Sequence, residues 1–241
     1  MIYAYCGRVE LKISIAIPTF EYRGFGVEVL EYSFKQMVKQ TFKDFDVVIS
    51  DHSVDDKIEV LCSTWSDRLD IKYFRNVLER GSASANTLNS MIKSSGEIIK
   101  PLCADDYFLD DRALELIYEA SDKVEFIATG YFHTKDRVNY FNYHEPSLNP
   151  MLHIINTIGT PSCVAIRNHA DMPLPDTNLN YAYDCEFYKR YLDKYPTWRL
   201  ISEATIANFL WQESISSGIS NNVIEKENLY ILRKHEYKNI L

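Results

Sequence analysis

Residues 13–56, ISIAIPTFEYRGFGVEVLEYSFKQMVKQTFKDFDVVISDHSVDD, decide the fold. The opening run ISIAI (13–17) is uncharged and rich in isoleucine, which suits a strand buried on both faces of a parallel sheet. Pro18-Thr19 stops it. Residues 27–42 then place Val27, Leu30, Phe34, Met37 and Val38 at helical spacing, an amphipathic helix. A second buried strand, DVVIS (46–50), ends at Asp51-His52-Ser53. Strand, helix and strand in this order make a right-handed parallel βαβ unit.

Beyond residue 56 the alternation continues. Residues 55–65 read as a helix and 71–74 as a third strand. The small residues after Arg80 lead into a helix through Met91 and Ile92, with Gly96 as its stop. A fourth strand, 98–102, runs into Asp105-Asp106. Polar groups thus recur after strands one, two and four, at the edge where open α/β sheets bind ligands. Two adjacent carboxylates repel, and the pair is comfortable only if hydrogen-bonded, solvated or sharing a cation. Asp106 equally suits a turn ahead of a helix starting near Asp110. Further on, the sequence predicts a helix over 110–120, a strand over 124–129, an aromatic and polar loop over 139–149, and a Gly-Thr-Pro-Ser turn before a strand ending near Arg167. A loop over 174–180, a helix over 183–195, short strands over 197–201 and 206–211, and a helical tail complete the chain. With no repeat or low-complexity linker, residues 1–241 read as a single α/β domain. About 10–110 form a nucleotide-binding half, 111–220 a smaller mixed half, and 221–241 a helical tail.

The chain has 241 residues, 46% of them hydrophobic, and a net charge of −8. An acidic chain without a basic stripe is a poor partner for nucleic acid. Five widely spaced cysteines with no CxxC pair give no zinc or redox motif and point to a reducing, cytoplasmic setting. No window is long and apolar enough to span a membrane, and the N-terminus lacks a secretory signal pattern. Neither a Walker A lysine motif nor GxGxxG occurs. The six histidines show no ligand spacing.

The order of these features resembles family 2 glycosyltransferases of the GT-A fold. In that family the first strand ends in Pro-Thr-Tyr-Asn, a helix ends in Gln-Thr-Tyr, and the second strand ends in Asp-Asp or Asp-Asn with Ser. Gly81 to Asn89 is similar to the family's Gly-x-x-x-x-Asn helix, and GEIIKPLCADDYF (96–108) to its acidic strand end. The resemblance covers residues 13–110 well and 154–216 loosely. It implies a Rossmann-like, mostly parallel sheet flanked by helices, and a transferase that uses a nucleoside-diphosphate sugar, with a UDP-sugar as the leading donor. Pro18, Thr19 and Glu21 would line the nucleotide end, Asp51 would bond the base or ribose, and Arg80, Asn86 and Asp105 would complete the donor site. Asp105 and Asp106 match the end of the family's Asp-x-Asp motif, implying Mn²⁺ or Mg²⁺ on the diphosphate. Hard cations prefer such oxygens and share their sites with phosphates.

An inverting transfer also needs a base for the acceptor hydroxyl. Tyr181 to Arg190 matches the family's acidic pair opening a helix, with Arg190 six residues after Asp184, which makes Asp184 the base candidate. An aspartate there also suits helix capping, and the two roles can coexist. Glu186 is the reserve. Residues 158–162 resemble a loop near acceptor and diphosphate, and Gln212 lies where relatives carry a phosphate-contacting residue. The chain departs from the pattern at several positions: Cys103 replaces the first acid of Asp-x-Asp, Phe20-Glu21 stands where Tyr-Asn is usual, His52 replaces a second Asp or Asn after Asp51, and Tyr183 replaces the Glu before the base. By analogy the acceptor is a glycan or lipid-linked intermediate, and membrane contact is at most peripheral, at the inner face. The tail over 223–241 suits a lipid surface, a helix packed on the domain or a homodimer contact. Two competing readings are a sugar-phosphate nucleotidyltransferase, prompted by Arg23, Gly24 and Gly26, and a non-catalytic nucleotide-sugar-binding protein with a degenerate site.

Overall fold

Strand β1 (Ile13–Thr19) runs through the middle of the molecule in a computed structural model that describes residues 12–211 and 219–236. It pairs in parallel with β2 (Phe45–Asp51) on one side and β4 (Ile98–Pro101) on the other, and β3 (Ile71–Arg75) extends the sheet beyond β2. The connecting helices are α1 (Gly26–Met37), α2 (Lys57–Trp65) and α3 (Ala83–Ile92). Alternate residues of β1 point to opposite faces. Ile13, Ile15 and Ile17 pack in the cluster with Leu30 and Phe34 of α1, whereas Ala16 packs with Met91 of α3. Burial on both faces is why ISIAI reads as an unbroken apolar run.

Past β4 the sheet changes direction. The remaining elements are β5 (Tyr107–Phe108), α4 (Ala113–Ala120), β6 (Phe126–Thr134), β7 (Tyr140–His144), β8 (Val164–Arg167), α5 (Tyr183–Lys194), β9 (Trp198–Phe209) and α6 (Asn221–Glu236). The order across the sheet is β3-β2-β1-β4-β8-β6-β9-β5, with β7 beside β6. β8 is antiparallel to both β4 and β6, β9 runs parallel to β6, and β5 is antiparallel to β9. The outcome is the expected α/β sheet, parallel in its first half and mixed in its second.

Several boundaries differ from the sequence reading, each for a physical reason. α1 ends at Met37 rather than at residue 42, because Gln40 turns inward. Its side chain donates to the Asp110 carbonyl at 2.8 Å and accepts the Leu114 N–H at 3.0 Å, fastening the turn to the start of α4. α4 itself starts at Ala113, since Asp110 accepts the Arg112 N–H at 2.6 Å and shapes a turn first. The expected loop over 139–149 contains β7, an edge hairpin strand too polar and exposed to show an apolar alternation. The two short strands expected over 197–201 and 206–211 are one strand, β9. Ser202 and Glu203 interrupt its apolar pattern, but pairing with β6 continues through an irregularity at Gly130, where a Cβ would meet the Ser202 carbonyl at 2.7 Å. None of the described helices is long and apolar enough to cross a membrane.

Candidate functional site

The C-terminal ends of β1, β2 and β4 border a cleft of about 710 Å³, closed on its other side by the 154–161 loop and the start of α5. Parallel register sets Thr19 beside Asp51, so both strands stop at the same level. The Thr19 carbonyl accepts the His52 N–H and the Asn86 side-chain amide, each at 2.9 Å, and Asn86 accepts the Ser50 hydroxyl at 2.6 Å. These bonds lock α3 onto the strand ends. Its N-terminus, capped by Ser82 accepting the Ala85 N–H at 3.2 Å, therefore borders the cleft through Gly81, Ser82 and Ala83. A helix N-terminus carries partial positive charge and free N–H groups, which suit an anion.

Among the sequence candidates, Pro18, Glu21, Arg80, Asn86, Asp105 and Asp184 all line this cleft. Thr19 and Asp51 lie behind its wall. Asp51 is fully buried, accepting the Tyr73 hydroxyl at 2.7 Å and the Ser53 N–H at 2.8 Å, with Arg75 at 3.5 Å. Its carboxylate thus joins the ends of β2 and β3. Thr19 Oγ1, His52 Nε2 and Ser53 Oγ are buried at these strand ends with no hydrogen-bond partner among the described residues. Such orphaned groups are rare in native interiors and call for an explanation, a bound ligand among them.

The acidic pair divides in the same way. Asp105 borders the cleft and accepts the Trp211 indole N–H at 2.8 Å on Oδ2. Asp106 is buried, and its side chain faces inward. Oδ1 accepts the Asn208 amide (2.8 Å) and the Phe209 N–H (3.2 Å), while Oδ2 accepts Ser162 Oγ (2.5 Å) and Thr160 Oγ1 (3.2 Å). These four donors engage both of its oxygens, and through them Asp106 ties β9 and the 160–162 turn to the end of β4. Burial pushes both carboxyls up, and Asp105 raises Asp106 further. Beneath the pair lies fully buried Lys100, donating to the carbonyls of Pro101 (3.1 Å) and Ser162. Burial brings Lys100 down to about 8.

Among the described residues no group of three His, Cys, Asp or Glu side chains could cage a metal. Asp105 nevertheless fits a cation shared with a diphosphate, because Mg²⁺-type sites commonly use one or two carboxylates plus substrate oxygens. Cys103 lines the cleft where a second acid was missing. Its N–H donates to Ser162 Oγ at 2.9 Å, and burial raises its thiol well above the usual range.

On the opposite wall, Asp184 is buried at the second position of α5. Its Oδ1 accepts the Cys185 N–H at 2.7 Å, and its Oδ2 accepts the Asn156 amide at 3.3 Å. Asn156 also accepts the Gly159 N–H at 2.8 Å, joining the loop to α5. Gly159 sits at φ +117°, and a Cβ there would meet the Tyr131 ring at 2.7 Å, so this tight loop requires glycine. Burial raises the Asp184 carboxyl to about 6. That places a proton acceptor near neutral pH, the range in which a general base works best. The reserve candidate, Glu186, faces away. Burial opposes its charge, but His235, Arg190 and Lys234 outweigh that and hold it down to about 2. Tyr183, standing where the family has Glu, lines the cleft and accepts Thr87 Oγ1 at 3.3 Å. Gln212 lies outside the described residues.

Lys100 and Asn156 support the site without having drawn attention in the sequence, where nothing local marks them, and Trp211, beside the noted Gln212, bonds Asp105. Within the tail, residues 221–236 form helix α6, which packs on the entry of α5. Glu227 of α6 accepts the N–H groups of Asn180, Tyr181 and Ala182 at 2.8, 2.9 and 3.0 Å, and Ile231 is buried against Leu179 and Ala182.

The sequence profile described as glycosyl transferase family 2 matches residues 14–172, well over half of the chain. The chain belongs to this family. Among glycosyltransferases of known sequence, it is 31% identical over 112 residues to the GalNAc(5)-diNAcBac-PP-undecaprenol beta-1,3-glucosyltransferase of Campylobacter jejuni, covering 46% of this chain and 35% of that protein. An uncharacterized glycosyltransferase of Rickettsia conorii is 29% identical over 133 residues, covering 54% of this chain and 21% of that one. The chain thus spans about a third or less of these relatives' length. The family's architecture is equally clear in solved structures. S. aureus TarS 1–349 in complex with UDP-GlcNAc superposes with a TM-score of 0.68 at 17% identity, covering 90% of this chain and 66% of that one. The Pyrobaculum calidifontis mannosyltransferase PcManGT, in complex with GDP-Man and Mn²⁺, gives 0.58 at 16% identity, covering 85% and 59%. The resemblance read from residues 13–110 is therefore borne out in family and in fold.

Proposed function

We propose that this glycosyltransferase moves a sugar from a nucleoside-diphosphate sugar, a UDP-sugar in the first instance, to a hydroxyl of a glycan or lipid-linked acceptor, with inversion at the anomeric carbon. One observation carries the reading: a single cleft holds Asp105 on its strand-end wall and Asp184 on the facing helix wall, with the N-terminus of α3 beside them. The nucleotide end is formed by Pro18, Glu21, His52 and Arg80, where α3 offers N–H groups and positive partial charge to the phosphates. A divalent cation would be held by Asp105 together with the donor diphosphate, and supplies charge neutralisation of the leaving group when bound. Asp184 takes the proton of the acceptor hydroxyl as its oxygen bonds to the anomeric carbon. The sugar–phosphate bond breaks on the far face, and the nucleoside diphosphate leaves.

The donor class is supported by the ligands of the structural neighbours, UDP-GlcNAc in TarS and GDP-Man in PcManGT, and the lipid-linked acceptor by the Campylobacter relative. The test is release of UDP from a panel of UDP-sugars, with Mn²⁺ and candidate acceptor glycans. The reading expects acceptor-dependent release that Asp184→Asn abolishes; release undiminished in that variant removes Asp184 as the base.

A further inference from the structure

An aspartate in the first turn of a helix is held only as well as that turn is held. α5 begins poorly by its own sequence. Its N-cap is Ala182, which has no side chain to accept a hydrogen bond and ranks low among capping residues. The chain leading into it, Asn180-Tyr181-Ala182, borders the cleft, and its backbone N–H groups need partners. They find all of them in one carboxylate that lies 45 to 47 residues away in sequence. Glu227 Oε1 accepts from Asn180, and Oε2 accepts from Tyr181 and Ala182.

Glu227 is 7% exposed. It and Ile231, one helical turn on, are the two buried positions among the described side chains of α6. The rest of the α6 contact serves to seat it. Lys234 bonds Asp176 and lies 3.0 Å from Glu186, Tyr230 donates to Asp176 at 2.9 Å, His235 meets Glu186 at 3.3 Å, and the His235 ring stacks on His153 at 4.6 Å. A buried acid held in this way on a peripheral helix, with every bond aimed at the base-bearing turn, is more than a surface contact.

We infer that Glu227 is a positioning residue for the transfer reaction: its carboxylate fixes the entry of α5 so that Asp184 stays in the cleft, oriented for proton abstraction. The inference rests on the reading of Asp184 as base. Glu227 frees Asp184 from being the sole partner of its own turn. Asp184 then spends one oxygen on the Cys185 N–H and keeps Oδ2 toward Asn156 and the cleft. After burial and the local bonds to Cys185, the negative charge of Glu227 is a further influence on Asp184, and it favours the protonated form. Among the described residues, the other titratable groups facing Asp184 are the phenols of Tyr183 and Tyr188 and the thiol of Cys185, all on α5.

The test uses the full chain with Glu227→Gln and Glu227→Ala. Three quantities are read: kcat for UDP-sugar turnover, UDP affinity by calorimetry, and the titration of the Asp184 carboxyl by ¹³C NMR, assigned with Asp184→Asn. Expected are a kcat loss of about tenfold or more in Glu227→Ala, UDP affinity within about twofold of wild type, and an Asp184 midpoint in Glu227→Gln below that of the wild type. A lowered melting temperature with kcat and the Asp184 midpoint both unchanged in the two variants overturns the inference, since a merely structural cap behaves that way. If the wild type turns over no nucleotide sugar while the Asp184 midpoint still falls in Glu227→Gln, the transferase reading fails and the hold of Glu227 on Asp184 stands.

Discussion

Asp105 and Asp184 face one cleft from walls built in different ways. The strand-end wall is local in origin. Each βα unit between Ile13 and Asp106 delivers its polar residues to the same edge because parallel strands in register must end together. The helix wall is assembled from distant pieces. Asp184 is placed by Asn156 from a loop, by the Gly159 turn, and by Glu227 reaching the entry of α5 from α6. The difference teaches where the site is robust. The first wall tolerates change as long as the sheet folds, whereas the second depends on single side chains with no substitutes.

Substitution on the helix wall has the largest expected effect. Asp184→Asn keeps the size and can accept only one of the two bonds, from the Cys185 N–H or the Asn156 amide, and it cannot take a proton, so kcat should fall by about 10² to 10⁴ while UDP affinity stays within about twofold. Steady-state turnover and calorimetry on the same preparation check it, and a matching loss of affinity would mean that the two walls are not separable.

The next effect is on stability and sets neighbours against each other. Asp106→Ala strands the Asn208 amide, the Phe209 N–H and two hydroxyls in the interior, and should cost about 3 kcal/mol in urea denaturation. Asp105→Ala, at the cleft, should cost about 1 kcal/mol or less, since it also relieves the repulsion felt by Asp106. Equal losses would erase the distinction drawn between the two carboxylates.

The smallest effect is a pH dependence. Burial raises Asp184 to about 6, and only its ionised form accepts a proton. kcat/KM should therefore rise with pH through about 6 and fall about tenfold for each pH unit below it. An acid limb near 4, where an exposed aspartate titrates, would contradict the buried setting.

The sequence displayed the first wall almost completely, because buried parallel strands and their helices carry unmistakable periods. It also located Asp105 and Asp184. It did not separate Asp105 from Asp106, since adjacent residues past a strand end differ only in which way the chain turns, and that is set by Ser162 and Asn208 far along the chain. Nor did it show that Asp51 bonds Tyr73 and Arg75 of the neighbouring strand, a cross-strand pairing that only the register of β2 and β3 reveals. β7 escaped notice because an exposed edge strand has no apolar alternation. Glu227 lay hidden in the tail, because its burial follows only from packing against the entry of α5.

Calorimetric titration of the chain with UDP, with and without Mn²⁺, tests most directly whether the strand-end wall is a nucleoside-diphosphate site. We predict saturable binding that Mn²⁺ strengthens in the wild type, with Asp105→Ala losing the Mn²⁺ enhancement. No binding of UDP under either condition would contradict the account.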